Sequence, residues 1–474
     1  MSRGLRFPLA WIVLFAILIA GCGLVNAPES PTVTTTPTQA VTATEVRVET
    51  PPPPTADHTA TPAPSATVSV MPPPSETPAA TVTTPPLLSE PCGLLLPASP
   101  AELPAVTPQA AAPAGISLED IPPEDLPEEA RAAVEQWLAQ PEDVAIVAYR
   151  VNNPAAGLYV NADRPMPLAS VVKVINLVAY AQAANDGLLN PAEWVPLSEL
   201  ERFYLPNSDL SAHPYAVQEL DDLGFLADDE PSAPLEEIPW MMVRHSSNAA
   251  ADYLHRRLGQ RAIEQTALDL GLTTHSAPCP WLGQFLLAAQ PESGQAAVAN
   301  LEAYAADGAR YGEDVIGLVD AYLNDPAFKQ AILERRRFAS LSAQRTFAES
   351  LNAQGTARQY AALMARISQN ELSSGYVNIL VRRNMEWPMM FEVNQPLFWT
   401  MGYKGGSLPG VLTGVYYAEP LEYRVPVVVA MFYRNMPTDV YREWRDSWPH
   451  DELARWILAD PEAAIPVLRG LVGE

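Results

Sequence analysis

Of the 29 basic side chains in this 474-residue sequence, three are lysines: Lys173, Lys329 and Lys404. Where nearly every cation is arginine, a lysine raises the question of what a guanidinium cannot do. It cannot shed its proton, whereas an ammonium can when desolvated or set beside another cation. Lys173 follows Ser170 by three residues in Ala169-Ser170-Val171-Val172-Lys173-Val174. On a helix that spacing puts a hydroxyl and an amine on one face, a nucleophile with a candidate base. Lys404 begins Lys404-Gly405-Gly406-Ser407, and two glycines let another backbone or a ligand approach a strand closely. Between them lies Arg244-His245-Ser246-Ser247-Asn248. Each triplet alone says little; in this order, with two of the three lysines in place, they point to one serine–lysine site.

Such a site needs a helix for Ser170 and Lys173 and a strand for Lys404, and the pattern supplies both. A helix runs from about 170 to 184. Val144–Val151 and Gly157–Asn161 read as strands joined by the turn Asn152-Asn153-Pro154, and Phe398–Tyr403, Val411–Ala418 and Arg424–Tyr433 as further strands. Pro127–Gln140 has the proline and acids of a helix start, the stretch from about 190 to 393 is mostly helical, and Thr438–Leu458 reads as a final helix. Strands from both chain ends with helices between them predict an α+β fold. Its antiparallel sheet of N- and C-terminal strands is flanked by helices, with an inserted helical subdomain at about 190–393.

The rest of the chain sets the setting. Arg3 and Arg6 precede an apolar run from Phe7 to Ala20, the layout of an export signal. It closes in Ile19-Ala20-Gly21-Cys22, which resembles a bacterial lipobox and implies lipidation of Cys22, a 1–22 signal peptide and an extracytoplasmic, membrane-anchored lipoprotein. Twenty-one of the 49 prolines fall between Pro28 and Pro113, among Thr, Ser, Ala and Val. A segment so poor in burial capacity predicts a disordered linker over 23–115, leaving 116–474 as the folded domain. A formal net charge of −26 argues against nucleic acid as a partner. The six histidines have no metal spacing, so no metal and no cofactor are expected. The chain is expected to act as a monomer. Cys92 and Cys279 either bridge or stand as two free thiols.

Over about residues 127–460 the sequence resembles the penicillin-recognising serine hydrolases, specifically the relatives of class A β-lactamases. Ser170 and Lys173 match the Ser-x-x-Lys motif. Ser246 and Asn248 match Ser-Asp-Asn with Ser247 in place of Asp, and Lys404-Gly405-Gly406 matches Lys-Thr-Gly with Gly405 in place of Thr. The resemblance implies a β-lactamase/transpeptidase-like fold and a set of roles. Ser170 attacks an amide carbonyl while neutral Lys173 takes its proton, with Lys404 helping to keep Lys173 neutral by repulsion. Ser246 relays the proton to the leaving nitrogen, and Asn248 holds the substrate's side-chain amide. The N–H groups of Ser170 and Ser407 form the oxyanion hole, and Lys404 and the Ser407 hydroxyl receive the substrate carboxylate.

The pattern also departs from the family's. No Glu-x-x-x-Asn stands ahead of the helix starting near Thr356; the nearest pair is Glu349 and Asn352, three apart. The strand after Lys404 offers Val411-Leu412-Thr413 where an arginine often assists carboxylate binding. Acylation is therefore better founded than rapid deacylation. The implied function is a serine hydrolase forming an acyl-enzyme with β-lactams. The alternatives are a D-alanyl-D-alanine carboxypeptidase or other cell-wall peptidase acting on peptidoglycan peptide, and a catalytically idle wall-binding lipoprotein. The plainer roles for the motif residues are a helix N-cap at Ser170, local capping at Ser246 and Asn248, and a bulge at Gly405-Gly406.

Overall fold

The computed structural model describes residues 92–96, 118–122, 126–227, 231–289, 295–335 and 339–472. The chain divides into Met1–Pro85 and Pro86–Glu474, and every described residue belongs to the second unit. The expected export signal, Cys22 and the expected linker, apart from residues 92–96, lie outside the described residues.

Apolar runs near both ends of the domain form one five-stranded sheet. Its strands are β1 (Val144–Arg150), β2 (Leu158–Val160), β3 (Phe398–Leu408), β4 (Val411–Pro420) and β5 (Val427–Tyr433), in the spatial order β2-β1-β5-β4-β3. All neighbours are antiparallel, and the first strand meets the last with Val144 opposite Tyr433 and Arg150 opposite Val427. The helices are α1 (Glu128–Ala139), then α2 (Lys173–Asn185), α3 (Ala212–Asp222), α4 (Asn248–Leu258), α5 (Trp281–Ala288), α6 (Ala357–Ser368) and α7 (Gly375–Met385) between β2 and β3, among others. After β5 come α8 (Thr438–Ser447), α9 (Pro449–Ala459) and α10 (Pro461–Gly470).

The near-continuous apolar character of β1 and β5 has a simple cause: side chains alternate along a strand, and both faces of this sheet are covered. Val144, Ile146, Ala148, Val429 and Met431 face a core built with Trp137 of α1 and Leu453 and Ile457 of α9. Ala145, Val147, Val428, Ala430 and Phe432 face the opposite core, shared with Val174 and Val178 of α2 and Tyr360 and Met364 of α6. The α+β expectation holds, and the inserted helices lie on this second side.

Three boundaries differ from the sequence reading. The strand bearing Lys404 does not end at Tyr403 but runs on to Leu408, so Lys404, Gly406 and Ser407 are ladder residues opposite Val415, Thr413 and Leu412. The single helix expected over 438–458 is two, parted at Trp448, whose φ is 53°. Pro449 explains the break, because proline disfavours the right-handed helical conformation in the residue before it yet suits the first turn of the next helix. Residues 92–96, placed by composition in the linker, are part of the folded body. Cys92 is bridged to Cys279, and Gly93 N and Leu96 N donate to Ala277 O and His275 O, both at 2.8 Å. A disulfide and paired backbone groups supply the order that this short segment's composition does not.

Candidate active site

Ser170 sits in the 3₁₀ turn Ala169–Val172, directly before α2. Ala169 has φ 45°, an uncommon conformation for a residue with a Cβ, and it persists because its surroundings fix it. Ala169 N donates to Asn352 Oδ1 at 2.8 Å, Leu168 N to Ala353 O at 2.9 Å, and Thr413 Oγ1 of β4 to Leu168 O at 2.8 Å. Opposite stands Gly406 of the edge strand β3. A Cβ there would lie 2.7 Å from both Ser170 N and Leu168 O, so only glycine permits this approach. An edge strand also turns every second N–H away from its ladder, so β3 can present backbone donors to a group held on Ser170.

Lys173, the first residue of α2, is completely buried. Its Nζ donates to Ser246 O and to Asn248 Oδ1 at 2.7 Å, lies 3.4 Å from Ser246 Oγ, and stands 4.9 Å from the centre of the Trp281 ring. Lys404 is 2% exposed; its Nζ donates to Ser246 Oγ at 3.0 Å and to Gly405 O at 2.7 Å. The Ser246 hydroxyl thus lies between two buried lysine nitrogens. Burial lowers Lys173 to about 7. Burial also pushes Lys404 well down, with repulsion from Lys173 adding to it. Desolvation is therefore the main cause of a readily neutral Lys173. The hydrogen bonds of Lys173 run to Ser246 and Asn248, and none joins it to the Ser170 hydroxyl among the described residues.

Ser246 has φ 68°, and the turn it makes is locked from below. The capping role suggested for Ser246 or Asn248 falls to Ser247, which stands in the family's Asp position. Its Oγ accepts from Ala250 N at 3.1 Å as the N-cap of α4, and shares a 2.9 Å hydrogen bond with His213 Nδ1. His213, on α3, is a residue that sequence reasoning did not single out; its only signal was being one of six histidines. Ser407 is half-buried, and its hydroxyl shares a 2.9 Å hydrogen bond with Tyr441 of α8.

The carboxylates are placed otherwise than the sequence suggested. Glu349 Oε1 accepts from Asn435 N at 2.7 Å, so it caps a turn after β5, while Asn352 holds the amide before Ser170. Asp252 of α4 is fully buried near Lys173, but its two oxygens accept from Trp281 N at 2.7 Å and Leu282 N at 2.6 Å, at the start of α5. Burial raises its carboxyl to about 7 despite those bonds. No group of His, Cys, Asp and Glu able to hold a metal occurs among the described residues.

A hydroxyl set between two buried amines, beside a serine held at a helix start and against an edge strand, is an arrangement able to relay a proton. The model of the β-lactamase enzyme family matches residues 127–443, which span every one of these side chains. The chain belongs to this family. Solved structures similar to this β-lactamase-family chain include a β-lactamase from Sphaerobacter thermophilus DSM 20745 (15% identity, 70% of this chain and 97% of that one, TM-score 0.43). Another is a β-lactamase from Burkholderia vietnamiensis (14% identity, 70% and 97%, TM-score 0.39), and a third is PBP-A (16% identity, 65% and 89%, TM-score 0.39). No curated protein matches the chain.

Proposed function

We propose that this chain is a serine acyl-transfer enzyme that forms a covalent Ser170 ester with β-lactams and releases it slowly. The observation that carries the reading is the Ser246 hydroxyl set 3.4 and 3.0 Å from the Lys173 and Lys404 nitrogens. In the step proposed, Ser170 Oγ bonds to the carbonyl carbon, the C–N bond breaks, and the serine proton passes by way of neutral Lys173 and Ser246 to the departing nitrogen. The N–H groups of Ser170 and Ser407 face the oxyanion, each such donor contributing about 3 kcal/mol of barrier lowering. Asn248, Gly406, Lys404 and Ser407 bind the substrate, the last two at its carboxylate. Slow release follows from the carboxylates: Asp252 has both oxygens engaged and Glu349 is tied to Asn435, so neither is free to activate water.

The same engagement of Asp252 and Glu349 favours a second reading, a D-alanyl-D-alanine carboxypeptidase working on peptidoglycan peptide. Fluorescent penicillin tests both: wild type should label covalently and Ser170→Ala should not. Absence of label on wild type would leave only a wall-binding role. A chromogenic cephalosporin should then give a stoichiometric burst followed by slow turnover, and sustained fast turnover would restore a true β-lactamase. We further propose that lipidated Cys22 holds the enzyme at the outer face of a bacterial membrane. Radiolabelled palmitate should mark the full chain and be lost in Cys22→Ala.

A further inference from the structure

The turn at Ser246 is held by a line of polar groups that runs outward from the site and ends at the surface. Its inner end is Ser247, fully buried, whose N–H donates to Met241 O at 3.1 Å. The Ser247 Oγ accepts from Ala250 N at 3.1 Å and meets His213 Nδ1 at 2.9 Å. His213 is 1% exposed; its backbone N–H donates to Asp209 Oδ2 at 3.1 Å, and its ring centre lies 5.0 Å from that of Tyr204. The far ring nitrogen, Nε2, is buried and makes no hydrogen bond among the described residues, but Glu201 Oε1 stands 3.4 Å away, at an ion-pair separation. Glu201 closes the short helix Leu197–Glu201, and its side chain is half exposed.

Carboxylate, imidazole and hydroxyl are thus in file, and the count of protons orders them. In a neutral imidazole one nitrogen donates and the other accepts, and the partner of one decides the role of the other. A lone pair on Nε2 would face an anion 3.4 Å away, so the ring proton belongs on Nε2. Nδ1 is then an acceptor, and the Ser247 hydroxyl must turn its proton toward it, leaving its oxygen to receive Ala250 N. We propose that Glu201 is a positioning residue for the acylation step: through His213 it fixes the direction of the Ser247 hydroxyl, and so holds the Ser246 hydroxyl between the two lysines. This rests on the Ser170 reading and deepens it. The link to the site is direct, because Lys173 Nζ donates to Ser246 O and Asn248 Oδ1, on either side of Ser247. With Ser247 unfastened, Ser246 is free to leave its φ of 68°, which persists only while its surroundings impose it.

The position of Glu201 separates this role from a structural one. A half-exposed ion pair adds little to stability, so its loss should show in the ring and in the rate rather than in unfolding. In the full chain grown with ring-¹⁵N histidine, NMR distinguishes the two nitrogens of each imidazole, and His213→Gln assigns those of His213 among the six. At about pH 8, above the usual imidazole range, wild type should carry the proton on Nε2. Glu201→Ala should redistribute it toward Nδ1 and slow penicillin labelling about tenfold, within the cost of a small misplacement, with the urea midpoint nearly unchanged. Glu201→Gln, which can still turn a carbonyl oxygen toward Nε2, should restore both ring and rate. Should Glu201→Ala fail to fold by circular dichroism, Glu201→Met carries the same prediction. A wild type with the proton on Nδ1, or a ring unaltered in Glu201→Ala, would overturn the proposal, as would an altered ring with labelling at the wild-type rate. The spectra need no substrate, so a wild type that never labels would sink the Ser170 reading while they still decide whether Glu201 sets the hydroxyl.

Discussion

At the residue scale, the proposed chemistry depends on a proton that Lys173 can hold and lose. Only the neutral amine accepts a proton from Ser170, and with Lys173 near 7 the neutral fraction grows about tenfold per pH unit below that value and levels off above it. The rate of penicillin labelling should therefore climb from pH 5 to about 7 and flatten; a flat profile across that range would mean that another group accepts the proton. Lys173→Arg keeps a cation that never deprotonates and should cut the labelling rate by roughly 10³, within the range general-base catalysis contributes. Gly406→Ala tests the other half of the site. Its new methyl would press on Ser170 N and Leu168 O at 2.7 Å, both backbone atoms unable to swing aside. β3 must then retreat from the serine, and misplacement of about 1 Å costs on the order of 10² in rate. Labelling should fall by that factor while binding of a non-covalent substrate peptide weakens far less.

At the element scale, what could be read from sequence was what repeats or what carries rare residue types. The strands β1, β4 and β5 were visible as apolar runs, α2 as an apolar helix behind Ser170, and the lysines by scarcity. The pairing of β1 with β5 followed from the chain-end strands needing partners. The turn that shapes Ser246 was not legible. Its conformation depends on Ser247 finding His213 34 residues earlier, and no local pattern announces a hydrogen bond across that separation. Glu349 and Asn352 misled because their spacing was close to a known one, although the chain sends one to Asn435 and the other to Ala169. The Ser247–His213 contact yields its own test. Ser247→Ala removes the N-cap of α4 and the partner of a buried imidazole, and should cost about 1–2 kcal/mol by urea unfolding. Ser247→Asp, which can cap and also accept from His213, should recover most of it. Loss of the same size in both would show that hydroxyl size, rather than hydrogen bonding, holds the turn.

At the scale of the whole molecule, the start of the folded body is decided by covalent chemistry that composition does not reveal. Proline content continues past Cys92, yet the chain is captured there, because the Cys92–Cys279 bridge and the strand-like contact of Leu95 with Ser276 fasten residues 92–96 to the body. The fastening point matters to the site. Cys279 lies two residues before Trp281, whose backbone N–H holds Asp252 and whose ring faces Lys173. The cross-link spans a sequence separation of 187, and closing so long a loop restricts the unfolded chain by about 2–5 kcal/mol. Cys92→Ser, or full reduction, should lower the unfolding free energy by that amount, and Cys92→Ser with Cys279→Ser should cost no more than either change alone, since one bridge is lost in each case. If the strain of losing the bridge travels along 279–281, the reduced protein should also label more slowly at pH 6 than at pH 8 by a wider margin than the oxidised one, because a displaced Trp281 loosens the burial that keeps Lys173 near 7. A reduced enzyme less stable but with an unaltered pH profile would confine the bridge to holding the linker, and separate the fastening of residues 92–96 from the chemistry of Ser170.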